Sequence, residues 1–129
     1  MNLLFENSFT VLPKHCNYHY PMIFGGAFFA EMDLAAAITV SRLLQDSNCD
    51  SAVTHKFEGE FLSAAECGDI IFLNCEIVEL RKKAVVVEVI AKREKRAKKG
   101  QDLIAKAKFV FVTKKNGEFC PHGLELEKN

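Results

Sequence analysis

One carboxylate of this chain falls where the pattern of a helix calls for an apolar side chain. Residues 27–46 contain no glycine or proline and many good helix formers, which predicts one long helix. On a helical wheel at about 100° per residue, Asp33 lies beside Phe29, Val40 and Leu44. Burying an unpaired carboxylate costs free energy. Asp33 therefore accepts a hydrogen bond from a nearby donor, or faces a subunit boundary, or is a catalytic acid or base. Periodicity alone leaves these interpretations open.

A second acid of the same helix has an ordinary explanation. Glu31 falls on the wheel with Arg42, Gln45 and Asp46, which together form a polar face. This position predicts a solvated side chain rather than a functional one.

Two glycines precede the predicted helix and bear on the chemistry that Asp33 could perform. Backbone N–H groups at Gly25 and Gly26 would be open to a ligand, and the positive end of the helix dipole favours developing negative charge. A polarised carbonyl oxygen or an oxyanion could bind there. Two glycines before a helix are as often only a tight turn, but Asp33 follows them by about two turns, roughly 10 Å along the axis.

The histidines and cysteines do not have the spacing of a metal site. His15 and His19 are four residues apart with Cys16 between them, and only distant residues could complete a ligand set, namely His55, Cys120 and His122. We therefore expect no metal and no other cofactor. The five cysteines are an odd number without a close pair, which predicts reduced thiols in a cytoplasmic protein.

Length and composition restrict the protein class. The 129 residues predict one domain spanning 1–129, and 49% hydrophobic with 26% charged residues excludes a disordered chain. The 17 basic side chains balance 17 acidic ones, which argues against a nucleic-acid-binding protein. The longest apolar stretch is too short to span a membrane, and the N-terminus lacks the basic region of a secretory signal.

The elements around the helix are predicted to be strands. A short strand precedes the helix, and four long ones with short turns follow it, which predicts an antiparallel meander that ends at Asn116-Gly117. In the first strand after the helix, Val53, Phe57 and Phe61 share one face and Thr54 belongs to the polar face. The predicted fold class is α+β, with the sheet wrapped around one helix. The predicted strands are residues 7–12, 53–61, 70–80, 84–96 and 102–114.

The segment that contains these residues resembles a known family. Asn17 is followed by Phe24-Gly25-Gly26, then by Met32-Asp33, and then by the small residues Ala35-Ala36-Ala37. This order resembles the hotdog-fold acyl-CoA thioesterases, and the Gly68-Asp69 turn is similar to one in that family. The resemblance covers essentially the whole chain, although the interval from Asn17 to Gly25 is one residue longer here.

The resemblance implies a long helix wrapped by a curved antiparallel sheet, with active sites at the interface of two subunits. It implies a homodimer or a higher homo-oligomer such as a tetramer, acting on an acyl-CoA. Asn17 and Asp33 would be the catalytic pair, from opposite subunits, and Gly25 and Gly26 would polarise the thioester carbonyl. Asp33 would activate water or attack the carbonyl itself, while Asn17 would orient water or the intermediate.

Candidate substrate contacts are of two kinds. Four aromatic residues could contact the acyl group, although such spacings are also typical of plain core: Phe24, Phe28, Phe29 and Phe57. Residues 81–100 contain nine basic and two acidic side chains, so Lys82, Arg93 and Arg96 could meet the phosphates of coenzyme A. The alternative for this run is a solvated hairpin end.

The sequence is also compatible with two other functions. His19 and Glu31 could pair as the histidine and glutamate of hotdog acyl-thioester dehydratases do. The domain could also bind acyl-CoA without turning it over, as a sensor or interaction module.

Overall fold

A computed structural model describes residues 4–17, 20–94 and 100–125. Its helix α1 begins two residues before the predicted start, at the paired glycines, and is followed by a 3-10 turn at Leu44–Asp46. The elements are β1 (Leu4–Thr10), α1 (Gly25–Leu43), β2 (Ser51–Phe61), β3 (Ile70–Arg81), β4 (Ala84–Glu94), β5 (Gln101–Lys115) and β6 (Glu118–Phe119). Within these described ranges, no helix is long and apolar enough to cross a membrane.

The strands form one antiparallel sheet in the order β1-β3-β4-β5-β2, with β6 paired to β5. The predicted four-strand meander is correct for β3, β4 and β5 but wrong for β2, which pairs with β5 at the far edge. Residues 62–69 carry the chain from β2 across the sheet to β3, a distance of about 15 Å at ~4.8 Å per strand. Sequence periodicity shows which face a strand buries but not which strand lies next to it.

Helix α1 packs on the concave face of this sheet. Its buried positions recur three or four residues apart from Phe28 to Leu43, as a helix lying on one face requires. Opposite them, alternate residues of β3 are buried from Ile71 to Ile77, and Val85, Val87 and Val89 of β4 complete the layer. The predicted α+β architecture, one helix covered by a curved antiparallel sheet, is confirmed.

The Asn116-Gly117 pair forms a hairpin turn rather than ending the regular structure. Both residues have positive φ, 52° at Asn116 and 83° at Gly117, a conformation that asparagine and glycine tolerate best. The turn returns the chain to pair Lys114 with Phe119 and Lys115 with Glu118. The predicted end of the strands is therefore corrected by this short β6.

Gly59 is required where β2 and β5 approach closely. A Cβ at this position would lie 2.6 Å from the Lys106 carbonyl oxygen and 2.8 Å from the Ala107 Cβ. Because the clash involves backbone, Gly59→Ala is expected to lower the free energy of unfolding by about 1–3 kcal/mol. Thermal unfolding checks this prediction, with Glu58→Ala, an exposed change on the same strand, as the control. Equal melting temperatures for both variants would contradict it.

Candidate active site

The start of helix α1 presents backbone donors that the helix itself does not pair. Phe24 is the N-cap residue but provides no side-chain cap, and the first i→i−4 hydrogen bond runs from the Phe28 N–H to the Phe24 carbonyl at 3.1 Å. The N–H groups of Gly25, Gly26 and Ala27 therefore have no acceptor within the helix. Both glycines are exposed, so these donors, at the positive end of the helix dipole, are accessible to a carbonyl oxygen.

Two cavities meet at this helix start. The larger, of about 520 Å³, lies between α1 and β2 and is lined by Gly25, Gly26, Phe29, Met32, Phe57, Glu58, Gly59, Glu60, Phe61, Lys106 and Ala107. The smaller, of about 270 Å³, lies beside Phe28 and Ser63. Gly25 and Phe61 line both cavities. A ligand bound to the glycine N–H groups would therefore have an apolar space on either side.

The four aromatic residues predicted to contact substrate gather around this helix start. Phe29 and Phe57 line the larger cavity with ring centroids 4.6 Å apart, and Phe28 lines the smaller one. The exposed ring of Phe24 lies over Gly26, where an added Cβ would come within 2.9 Å of it. Their contact with substrate stays a prediction, but their placement suits it.

Asp33 is held by a hydroxyl group from the neighbouring strand. The Thr54 Oγ1–H donates a hydrogen bond of 2.7 Å to the Asp33 Oδ1. Asp33 is half-buried at the flank of α1 rather than at the centre of its buried face. The structure thus supplies the nearby donor that the sequence left open, and the second carboxylate oxygen is not used by this bond. A carboxylate oriented in this way is suited to act as a base or a nucleophile.

Thr54 is the site residue that sequence reasoning missed. The alternating pattern of β2 assigned it to the outer polar face, but the pairing with β5 shifts register between Thr54 and Lys56. This β-bulge at His55 reverses the alternation, so Thr54 and Phe57 both face α1. A bulge leaves little trace in a hydrophobicity pattern, and only the pairing with β5 reveals it.

Asp33 and the helix-start donors lie apart along the same helix. Eight residues separate Gly25 from Asp33, which is about 12 Å at 1.5 Å per residue. The donors must lie about 3 Å from the carbonyl oxygen, whereas a base must reach the water that attacks the carbonyl carbon. Within one chain, the glycine N–H groups and Asp33 therefore lie at different levels of α1, about two turns apart.

The prediction of a solvated Glu31 is wrong. Its side chain is half-buried, and its Oε1 lies 3.1 Å from the Nε2 of the buried His15. Glu31 and Asp33 occupy opposite flanks of the buried face of α1, and each has a partner outside the helix. His19, the partner of Glu31 in the dehydratase alternative, lies outside the described residues.

The family model of the thioesterase superfamily matches residues 20–100, which include α1, its paired glycines and Asp33. The chain belongs to the thioesterase superfamily. No curated protein sequence matches it.

Solved structures similar to this superfamily member have the hotdog fold. An acyl-CoA hydrolase from Staphylococcus aureus in complex with coenzyme A is 22% identical, with a TM-score of 0.84 over 98% of this chain and 74% of that one. A hexameric thioesterase from Yersinia pestis is 20% identical, with a TM-score of 0.78 over 94% of both chains. A hexameric broad-specificity acyl-coenzyme A thioesterase is 21% identical, with a TM-score of 0.81 over 92% of this chain and 80% of that one. The hotdog fold implied by the sequence is confirmed.

Two of the basic residues predicted to contact coenzyme A, Lys82 and Arg93, lie far apart in this thioesterase-superfamily member. Arg93 is buried at the end of β4 nearest the glycines, whereas Lys82 is exposed in the turn at its other end, roughly 30 Å away by strand rise. The guanidinium of Arg93 bonds Asp102, the Ser63 hydroxyl and the Ala64 carbonyl. The hydrogen bonds to Asp102 raise the pKa of Arg93 above its ordinary value.

These contacts favour a structural role for Arg93, which ties β4 and β5 to the segment that follows β2. Its predicted phosphate contact, like that of Lys82, stays untested. Arg96 lies outside the described residues.

A thiol next to Asn17 is not suited to be the nucleophile. Burial, and the neighbouring Cys67 thiol that contacts it, raise the pKa of Cys16 above that of a free cysteine. Cys16 therefore stays protonated at neutral pH, when only a thiolate would attack a thioester. Within the described part of the chain, no three His, Cys, Asp or Glu side chains cluster as a metal site requires.

Proposed function

We propose that this protein is an acyl-CoA thioesterase that hydrolyses an acyl-CoA to the free acid and coenzyme A. The observation that supports it most is the Asp33 carboxylate, which the Thr54 hydroxyl of β2 orients. Asp33 belongs to the helix whose N-terminal N–H donors face an apolar cavity. A thioester needs these parts together: a base or nucleophile, donors for the forming oxyanion and an apolar space for the acyl group. Superfamily membership agrees with this proposal.

Each of these residues would have a distinct role in the reaction. The N–H groups of Gly25 and Gly26 bind the carbonyl oxygen and stabilise the negative charge that develops on it. Asp33 takes a proton from water as the water attacks, or attacks the carbonyl carbon itself to give an anhydride that water then cleaves. Asn17 orients the water or the intermediate. The thiolate of coenzyme A leaves and is protonated by solvent.

We propose that the active site is shared between two copies of the chain. Gly25 and Asp33 of one chain are about 12 Å apart along the helix. In a shared site, Asp33 of one subunit would instead lie beside Asn17 and the glycines of the other. Large apolar side chains are exposed on the same two elements, since Phe57 and Phe61 of β2 are 58% and 52% exposed and Leu34 of α1 is 56% exposed. Such exposed apolar side chains are typical of a subunit interface, and two of the similar structures are hexameric.

Three finer predictions belong with this proposal. We expect one domain spanning 1–129, a homodimer or a higher assembly of homodimers, and a cytoplasmic location, the last resting on the five free cysteines.

The test is release of free thiol from a panel of short, long and aromatic acyl-CoAs. Cleavage of at least one of them, abolished by substitution of Asp33, is the expected result. Binding of coenzyme A derivatives without cleavage would instead favour the non-catalytic binding module. Hydration of an enoyl thioester that depends on His19 would favour the dehydratase.

Thr54 offers a sharper test of the proposed base. Thr54→Val keeps the shape of the side chain but removes the hydrogen bond to Asp33, so kcat is expected to fall roughly tenfold. Thr54→Ser retains a hydroxyl group and is expected to stay within about threefold of the wild type. Steady-state thiol release measures both variants. Equal activity of the Val and Ser variants would contradict a role for this hydrogen bond.

A further inference from the structure

His15 makes a complete set of hydrogen bonds inside the protein. Its ring is buried, packs against Phe9 with centroids 5.4 Å apart, and accepts the Leu12 backbone N–H at Nδ1, at 2.9 Å. Since a backbone N–H can only donate, Nδ1 carries no proton. Nε2 then carries it and donates to the Glu31 Oε1 at 3.1 Å. His15 is therefore a neutral ring that joins the segment before it to helix α1.

This ring stands at the base of the loop that carries Asn17. Cys16 and Ile23 pair as an antiparallel bridge, and the Asn17 N–H donates to the Met22 carbonyl at 2.9 Å. The His15 carbonyl in turn accepts the N–H of Phe24, the N-cap residue of α1, at 3.1 Å. The two stems of this loop, residues 16–17 and 22–23, are therefore tied together next to His15 and Phe24.

We propose that His15 and Glu31 are positioning residues for thioester hydrolysis. They hold the loop stems, residues 16–17 and 22–23, and with them Asn17, in a fixed position relative to the glycine N–H groups that begin α1. This inference rests on the proposed function, because it assigns the pair to the reaction that Asn17 and the glycines would perform.

The pair acts through position rather than by proton transfer to substrate. Both ring nitrogens of His15 are occupied by protein groups, so neither is open to a reacting group. Glu31 lies on the flank of α1 opposite to Asp33, and its Oε1 accepts the hydrogen bond from His15. A bond between a neutral N–H and a carboxylate, half shielded from water, is stronger than an ordinary surface contact. It is well suited to hold a loop in place.

The chain contains a matched control for a purely structural histidine. His122 is also buried; its Nδ1 accepts the Leu124 N–H at 3.0 Å, and its Nε2 bonds the Ala84 and Arg81 carbonyls. It lies beside the β3–β4 turn, at the end of the sheet remote from the paired glycines. Loss of its hydrogen bonds should therefore lower stability without moving Asn17 or the loop stems.

The experiment compares His15→Phe, Glu31→Ala and His122→Phe by thermal unfolding and by kcat and KM, well below every melting temperature. We expect His15→Phe and Glu31→Ala to lower kcat by about 10- to 100-fold with little change in KM, because a small misplacement of a reacting geometry has effects of this size. The double variant should be no worse than the poorer single one, since both lose the same contact. Glu31→Gln still offers an acceptor and should stay within about threefold of the wild type.

The measured kcat and stability distinguish a positioning role of the His15–Glu31 pair from a structural or a catalytic one. If His15→Phe and His122→Phe both lose stability and neither loses kcat, the pair is only structural and the proposal is wrong. If His15→Phe does not fold, Glu31→Ala decides the question by the same readout. If His15 proves necessary for hydration of an enoyl thioester, it is a catalytic base and the positioning role is overturned.

Amide hydrogen exchange keeps this test distinct from a test of the proposed function. Exchange at residues 16–17 and 22–24 should quicken in His15→Phe and Glu31→Ala but not in His122→Phe. Unchanged exchange would overturn the proposal whatever the enzyme does. If the wild type cleaves no thioester, the proposed function fails, and exchange still decides whether the pair holds the loop.

Discussion

Replacing Asp33 by asparagine is expected to lower kcat for acyl-CoA hydrolysis by at least about a hundredfold. Asparagine keeps the shape of the side chain and an oxygen to accept the Thr54 hydroxyl, so the helix and its packing should be unchanged. What it loses is the negative charge that activates water or attacks the carbonyl. Because the change does not touch the glycine donors or the apolar cavity, KM is expected to change much less than kcat.

Thiol release under saturating substrate measures this effect, with melting temperature and oligomeric state recorded for each variant. The matched control is Asp46→Asn, which removes an exposed carboxylate from the turn at the other end of the helix and should leave kcat unchanged. Near-normal turnover by folded Asp33→Asn would show that the assignment of the base is wrong, even if the protein is a thioesterase.

Mixing two inactive variants is expected to restore activity if the site is shared between subunits. In a dimer of one Asn17→Ala chain and one Asp33→Asn chain, one of the two sites has both substitutions and the other has neither. Random reassociation of equal amounts should therefore recover about a quarter of wild-type activity, from parents that each retain a few per cent or less. The large gain comes from geometry alone, since no residue is added.

The control mixture combines Asp33→Asn with Thr54→Val. Thr54 bonds Asp33 within one chain, so no arrangement of these two subunits rebuilds an intact site. This mixture should show no more activity than the average of its parents. If the Asn17→Ala and Asp33→Asn mixture behaves in the same way, Asn17 and Asp33 do not act together across an interface.

Much of the fold could be predicted because its signals are local. A run of 20 residues without glycine or proline identified the helix, and alternating or β-branched segments identified the strands after it. The place of β2 could not be predicted in this way, because its pairing with β5 joins residues about 50 positions apart. Nothing in the sequence of β2 distinguishes β5 from β3 as its neighbour.

The surroundings of the two acids of helix α1 were also not predictable from local sequence. The helical wheel correctly placed Glu31 and Asp33 on different faces of the helix. However, exposed apolar residues such as Leu34 and Ala30 make the apolar face wider than the buried face, so the wheel does not locate the centre of the buried face. The buried face lies between the two acids, so that each stands at one of its flanks. Which group meets each flank, His15 on one side and Thr54 on the other, depends on segments distant in the chain.

The sequence by itself determined the helix, its paired glycines, the candidate Asp33 and the order of elements that resembles the thioesterases. These features depend on residue types at close spacing, which dihedral preferences and periodicity translate directly into structure. The tertiary structure alone decided that a bulge turns Thr54 toward Asp33, that Glu31 bonds His15, and that Arg93 is buried against Asp102. Each of these depends on where a second segment comes to lie, because a side chain's partner is set by packing and register.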